Sequence, residues 1–248
     1  MIRPGKIFIA GAVIAAAVFA VLFYLFPQRE DEDIDQTINI PGQPDISWQK
    51  ITITEEKKNV LMNITAPRII INGDYRLNSE INKAITQWID YSKSDFISGV
   101  TTAAEDNGEA NVLNIDTEVL LITPRLISLA FTETKHLAGI QDSDPEQTFI
   151  IFDVEKDEMM ESVELFRDIL AWSRAVKAMK ASLLTDYQGD PNCDLFFAPR
   201  HNGFAASCIG VDWSRGGKHL SITRNIPISV IQEFLAPSVL SDIIQVEH

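Results

Sequence analysis

Apolar and polar positions alternate along this chain in three distinct ways. Residues 7–26 (IFIAGAVIAAAVFAVLFYLF) form a continuous apolar run of 20 residues. At about 1.5 Å of rise per residue, a helix of that length spans the roughly 30 Å hydrocarbon core of a bilayer. The run is read as a membrane-spanning helix. A cleaved signal peptide would need small residues at its exit, whereas this exit is bulky, Leu22-Phe23-Tyr24-Leu25-Phe26-Pro27. Residues 28–47 are polar and acidic, with Pro41, Gly42 and Pro44, and read as a tether.

From residue 48 strand-like alternation begins. Ile51 and Ile53 alternate with Thr52 and Thr54, and Val60, Met62 and Ile64 with Leu61, Asn63 and Thr65, predicting two strands joined by a charged turn over 55–59. A short apolar run over 67–72 ends at Gly73. Leu77, Ile81, Ile85, Trp88 and Ile89 then recur at helical spacing, predicting a helix over about 77–98 with Asn78 or Ser79 at its start. A polar loop over 99–111 precedes strands over 113–123, 126–134 and 148–154, the first two forming a hairpin through Pro124-Arg125. The apolar stripe of Leu165, Phe166, Ile169, Leu170, Ala175 and Met179 predicts a second helix, stopped by Gly189, Asp190 and Pro191. Strands over 195–198, 204–213 and 219–223 and a helical turn over 228–235 complete the pattern.

This order predicts an α+β fold: antiparallel sheets with two packed helices, preceded by one N-terminal transmembrane helix. The predicted organisation is a cytoplasmic N-terminus (1–6), an anchor (7–26), an acidic linker (27–47) and an extracytoplasmic domain (48–248) with a sub-boundary near 100–112. Arg3 and Lys6 precede the apolar run, and Glu30, Asp31, Glu32, Asp33 and Asp35 follow it, so the positive-inside rule places the C-terminal domain outside the cytoplasm, at the cell membrane.

Charge narrows the partners. The 248 residues carry a formal net charge of −14. Three of the 21 basic residues, Arg3, Lys6 and Arg29, lie before residue 30, and all 35 acidic residues lie from there onward. Such a surface does not displace counterions from nucleic acid and suits a basic protein partner. Cys193 and Cys208 are the two cysteines, and outside the cytoplasm they read as a disulfide. Direct opposition across a hairpin would centre it between Arg200 and His201, whereas a two-residue turn at Asn202-Gly203 would set Cys193 opposite Asp212. A longer loop with Gly203 in the left-handed region would admit the disulfide.

No catalytic constellation is legible. The four histidines form no spaced metal motif, and nucleotide-binding and nucleophile-elbow patterns are absent, so no metal, cofactor or catalytic residue is assigned. The candidate ligand-binding residues are His136, at a strand end beside a loop; Asp142 and Asp144, in an acidic run; and Trp213 with Arg215, beside the Gly216-Gly217 turn. Trp88 falls on an apolar stripe and is assigned to the core. Two other readings are a dispersed enzyme site combining His136, Asp142 and Asp153, and a structural envelope protein.

Three stretches, YRLNSEINKAITQWI, LITPRLISLAFTETKHLAG with QTFIIFDVEKDEMMESVELF, and SITRNIPISVIQEF, resemble the extracytoplasmic modules of lysozyme-binding anti-sigma-V factors and of a peptidoglycan deacetylase. The resemblance covers roughly residues 48–236. His136 matches the histidine of that family's Gly-Gly-Ala-His segment, although the glycines before it are missing in Thr134-Lys135-His136-Leu137-Ala138-Gly139. The resemblance implies an anchored binding module for a lysozyme-like protein or a peptidoglycan glycan, without a sigma-binding or deacetylase domain of its own.

Overall fold

The computed structural model describes residues 33–40, 43–57, 59–71, 75–102, 110–139, 144–189 and 191–244, all within one compact unit. The run 7–26 lies outside them. Among the described residues no helix is long and apolar enough to cross a membrane.

Seven strands form the larger sheet in chain order: β1 (Asp33–Ile40), β2 (Gln43–Lys57), β3 (Val60–Ile71), β4 (Asn111–Ile122), β5 (Leu126–His136), β6 (Glu146–Asp153) and β7 (Glu158–Met159). Part of the stretch read as a tether is therefore strand β1, paired with β2. The apolar run over 67–72 continues β3 instead of standing alone. The sheet is mixed, which corrects the antiparallel expectation. The helix α1 (Tyr75–Thr102) carries the chain from the end of β3 back to its start, so β4 pairs with β3 in parallel, Val60 beside Asn111 and Ile64 beside Ile115. Beyond Ile64 the Asn82 side chain takes the place of a strand partner. Its amide donates to the Ile69 carbonyl at 2.8 Å and its oxygen accepts the Ile69 N–H at 2.9 Å.

α1 buries Ile81, Ile85, Ile89 and Phe96 against Met62, Ile64, Leu113, Ile115, Phe131 and Phe152. Trp88 joins this core as predicted, its ring centroid 4.3 Å from that of Phe131. The β4–β5 turn forms as predicted, and the Thr123 hydroxyl accepts the Leu126 N–H at 2.8 Å.

The smaller sheet holds β8 (Pro191–Arg200), β9 (Gly203–Asp212) and β10 (Lys218–Pro227), antiparallel with β9 central. Its Phe197, Phe204 and Cys208 pack with Ala175 and Met179 of α2 (Ile169–Leu183) and with Leu126, Ala130 and Ile151 of the larger sheet. The predicted stripe breaks at Asp168, whose carboxylate caps α2 by accepting the Ala171 N–H at 2.8 Å. Leu165 lies in a 3-10 turn ahead of this cap and Phe166 bridges to Leu235, while Ile169 and Leu170 are 61% and 66% exposed. In place of one helical turn over 228–235 there are two 3-10 turns, Ile228–Val230 and Gln232–Phe234. A third helix, α3 (Pro237–Ile243), follows; proline suits its first turn because the amide N–H there has no partner within the helix.

Neither proposed hairpin register is the one observed. Arg200 pairs with Gly203 across His201-Asn202, and Asn202 takes the positive φ of 58° that the tight turn needs. Cys193 then faces Gly210 and Cys208 faces Leu195. The cysteines are diagonal neighbours on one face and are joined as a disulfide with a Cα–Cα distance of 5.5 Å. Gly210 permits this: a Cβ there would lie 2.2 Å from the Asn192 carbonyl oxygen and 2.6 Å from the Cys193 Cα.

Candidate binding surfaces

β9 ends at Asp212, only 1% exposed, and that carboxylate organises the turn that follows. Asp212 Oδ1 accepts the Ser214 N–H at 2.9 Å and the Ser214 hydroxyl at 2.7 Å. Its Oδ2 accepts the Tyr187 hydroxyl and lies 3.3 Å from Arg215 Nε. The guanidinium also lies over the Tyr187 ring, 5.5 Å from its centroid. The hydrogen bond to Asp212 and the burial of the phenol hold the Tyr187 pKa above its ordinary value, and Arg215 pulls partly the other way. Gly216 and Gly217 both have φ of 76°, closing the turn, and Gly217 N–H returns to the Asp212 carbonyl at 3.0 Å.

On this frame Trp213 stands 62% exposed. Its ring lies along Gly217, where a Cβ would come within 3.3 Å of indole Cζ3. The result is an exposed aromatic face on a turn whose backbone is tied in several places, with Arg215 fixed beside it. Fixed aromatic faces bind the apolar C–H face of a sugar ring, and adjoining polar groups then take its hydroxyls.

The other predicted residues are placed separately. Asp144 is exposed just ahead of β6, and Asp142 lies outside the described residues. The segment after Asp144 is clasped to the Trp213 hairpin: Ser221 Oγ donates to the Pro145 carbonyl at 2.7 Å, and His219 Nε2 lies 2.9 Å from Glu146 Oε1. The pairing is not legible in the sequence, since nothing local couples residue 146, at the end of the acidic run, to residue 219. His136 ends β5, while Asp153, facing Leu126, sits at the opposite end of the β5–β6 ladder. They do not form one cleft. Asp153 instead accepts the Glu155 and Lys156 N–H groups, each at 3.0 Å, and shapes the β6–β7 turn. Among the described residues no group of three His, Cys, Asp or Glu side chains is placed to hold a metal ion.

A shallow depression of about 290 Å³ lies between α1 and the end of β5, lined by Asp95, Phe96, Ser98, Gly99, Lys135 and Leu137. Lys135 Nζ meets Asp95 Oδ2 at 2.7 Å and Glu133 Oε1 at 2.8 Å, and Ser92 donates to Glu133 Oε2 at 3.1 Å. Burial acts to lower the Lys135 pKa, and hydrogen bonds and charge from Asp95 and Glu133 outweigh it, so the net shift is upward. This network braces helix to strand.

The face of the larger sheet opposite α1 is the surface that sequence reading missed. Opposed residues across a ladder point to one side, which places Thr54, Asn63, Asn114 and Thr134 in one row. The row toward His136 runs Glu56, Leu61, Val112, His136; Asp116, Thr132 and Gln147 belong to the row on the other side. Asn63 donates to Asn114 at 3.0 Å and Gln147 to Thr132 at 3.2 Å. Even the apolar members, Leu61 and Val112, belong to neither core.

No family model matches the sequence, and no curated protein matches it. Solved structures do. The chain is similar to a DUF3298 family member from Bacteroides fragilis NCTC 9343, with 12% identity, 81% of this chain and 98% of the other covered, and a TM-score of 0.52. A DUF3298 family protein from Pseudomonas aeruginosa PAO1 aligns with 12% identity over 77% of this chain and 95% of the other, with a TM-score of 0.49. At this identity the likeness is one of fold: the chain folds like the DUF3298 domain from B. fragilis.

Proposed function

We propose that the chain is a membrane-anchored extracytoplasmic binding module, without catalysis of its own, whose ligand is a cell-envelope glycan of the peptidoglycan type. The observation that carries this reading is Trp213, 62% exposed on a turn tied down by Asp212 and two left-handed glycines. Leaving so large a ring mostly in water forgoes part of the roughly 1.5–3 kcal/mol that full burial of a large apolar side chain gives, and a ligand stacked on its open face recovers some of it. The resemblance to extracytoplasmic modules of anti-sigma-V factors and a peptidoglycan deacetylase agrees with this placement. Full-length protein in detergent is titrated with soluble peptidoglycan fragments, read by tryptophan fluorescence and calorimetry. Trp213→Ala weakens binding tenfold or more and leaves the melting temperature within a degree or two, because the ring is outside the core. Equal affinity of variant and wild type would remove Trp213 from the site.

The second reading, a basic lysozyme-like protein as ligand, is favoured by the net charge of −14. Calorimetric titration with a basic lysozyme at low and physiological salt tests it. Saturable one-to-one binding that survives physiological salt supports it, and heat that vanishes with salt reduces it to unspecific attraction.

A further inference from the structure

We infer that the uncovered end of the large sheet's second face, centred on the Thr54–Asn63–Asn114–Thr134 row, is a docking surface for a cationic protein. This rests on the second reading above and assigns it a place on the molecule. Three properties carry it.

The first is charge. The outward residues of these rows include Glu56 and Asp116 and no lysine or arginine, although the chain has 21 basic residues to place; at the rim, next along β4, Glu118 lies 4.0 Å from the Arg200 guanidinium. Carboxylates, hydroxyls and amides face out over most of the surface, with Leu61, Val112 and His136 in the row at one end. Lys135 and Glu55 project to the other side, toward α1, where they are paired. Rows that carry carboxylates and no lysine or arginine steer a basic partner and discriminate against an acidic one.

The second is pre-organisation. Threonine and asparagine are short and lose little rotamer freedom on being covered, unlike the lysine and glutamate of an ordinary solvated face. Their positions are set by ladder pairing over a packed core and, for Asn63 and Asn114, by a mutual hydrogen bond. The third is shape. A sheet face without a cleft gives a small ligand little enclosure but meets another protein over a broad area. With few apolar side chains in the rows, the contact is polar, fast to form and salt-sensitive.

The test uses the full chain in nanodiscs and a basic lysozyme as the probe, titrated at two salt concentrations. Asp116→Lys is compared with Glu80→Lys, which makes the same change in net charge at an exposed position on α1. The expected result is at least a tenfold loss of affinity for Asp116→Lys and less than a threefold loss for Glu80→Lys. Asn114→Asp, which adds a carboxylate to the row, tightens binding and guards against a loss caused by misfolding. Absence of binding by the wild type overturns the basic-partner reading and the surface with it. Binding by the wild type that falls equally in both lysine variants overturns the surface alone.

Discussion

Phe131→Ala lowers the free energy of unfolding by about 3–5 kcal/mol. Phe131 is fully buried at the centre of the larger sheet and packs against Trp88 as well as the aliphatic side chains of the α1-facing core. Removing the ring forfeits its transfer free energy and leaves a cavity that the strands on both sides, hydrogen-bonded to β5, cannot close. Against a total stability of roughly 5–15 kcal/mol for a domain, such a loss leaves little in reserve. Urea titration followed by circular dichroism measures it, and Trp88 emission in the folded baseline reports the lost ring contact. A loss below about 1 kcal/mol would mean that the ring is not enclosed as described.

Gly210→Ala is the second large effect, at about 2–3 kcal/mol or more. Its Cβ would lie well inside contact distance of the Asn192 carbonyl oxygen and the Cys193 Cα. Both are backbone atoms on the adjacent strand, so relief requires β8 and β9 to separate at the point where the disulfide ties them. Reducing the disulfide in the wild type costs about 3 kcal/mol in the chain-entropy model. The two losses are coupled, since the strand separation that the alanine forces is resisted by the bridge. Denaturation of both proteins with and without reductant should therefore give a combined loss smaller than the sum. Strict additivity, or a neutral alanine, would contradict the close approach of these strands.

Much of this architecture is legible in the chain because it is local. Helix α1 follows from the spacing of Ile81, Ile85 and Ile89, and the β4–β5 hairpin from Pro124-Arg125 between two alternating runs. What was missed depends on partners distant in sequence. The parallel seam between β3 and β4 depends on where α1 returns the chain, which periodicity does not encode. Ile169 and Leu170 fit the apolar stripe, yet the cap at Asp168 starts the helix with both of them outward. The cysteine pair was identified from composition, but its diagonal register depends on a glycine whose role appears only when two strands meet. For the candidate sites, Trp213 and Arg215 announce themselves beside a glycine pair. The threonine and asparagine rows do not, since the same alternation describes any strand with one buried side. Which polar face stays uncovered is a property of the assembled layers.

The two-armed contact between Asn82 and Ile69 bears on how the molecule behaves in a crowd. A strand with free backbone donors and acceptors is a template on which another chain can add itself, and the matched ladder of β4 against β3 ends at Ile64. The asparagine amide engages both polar groups of Ile69 from within the same molecule, as a neighbouring strand would. A helix residue thus acts as a plug at an internal gap in the sheet, and Ile69 keeps its hydrogen bonds within its own chain.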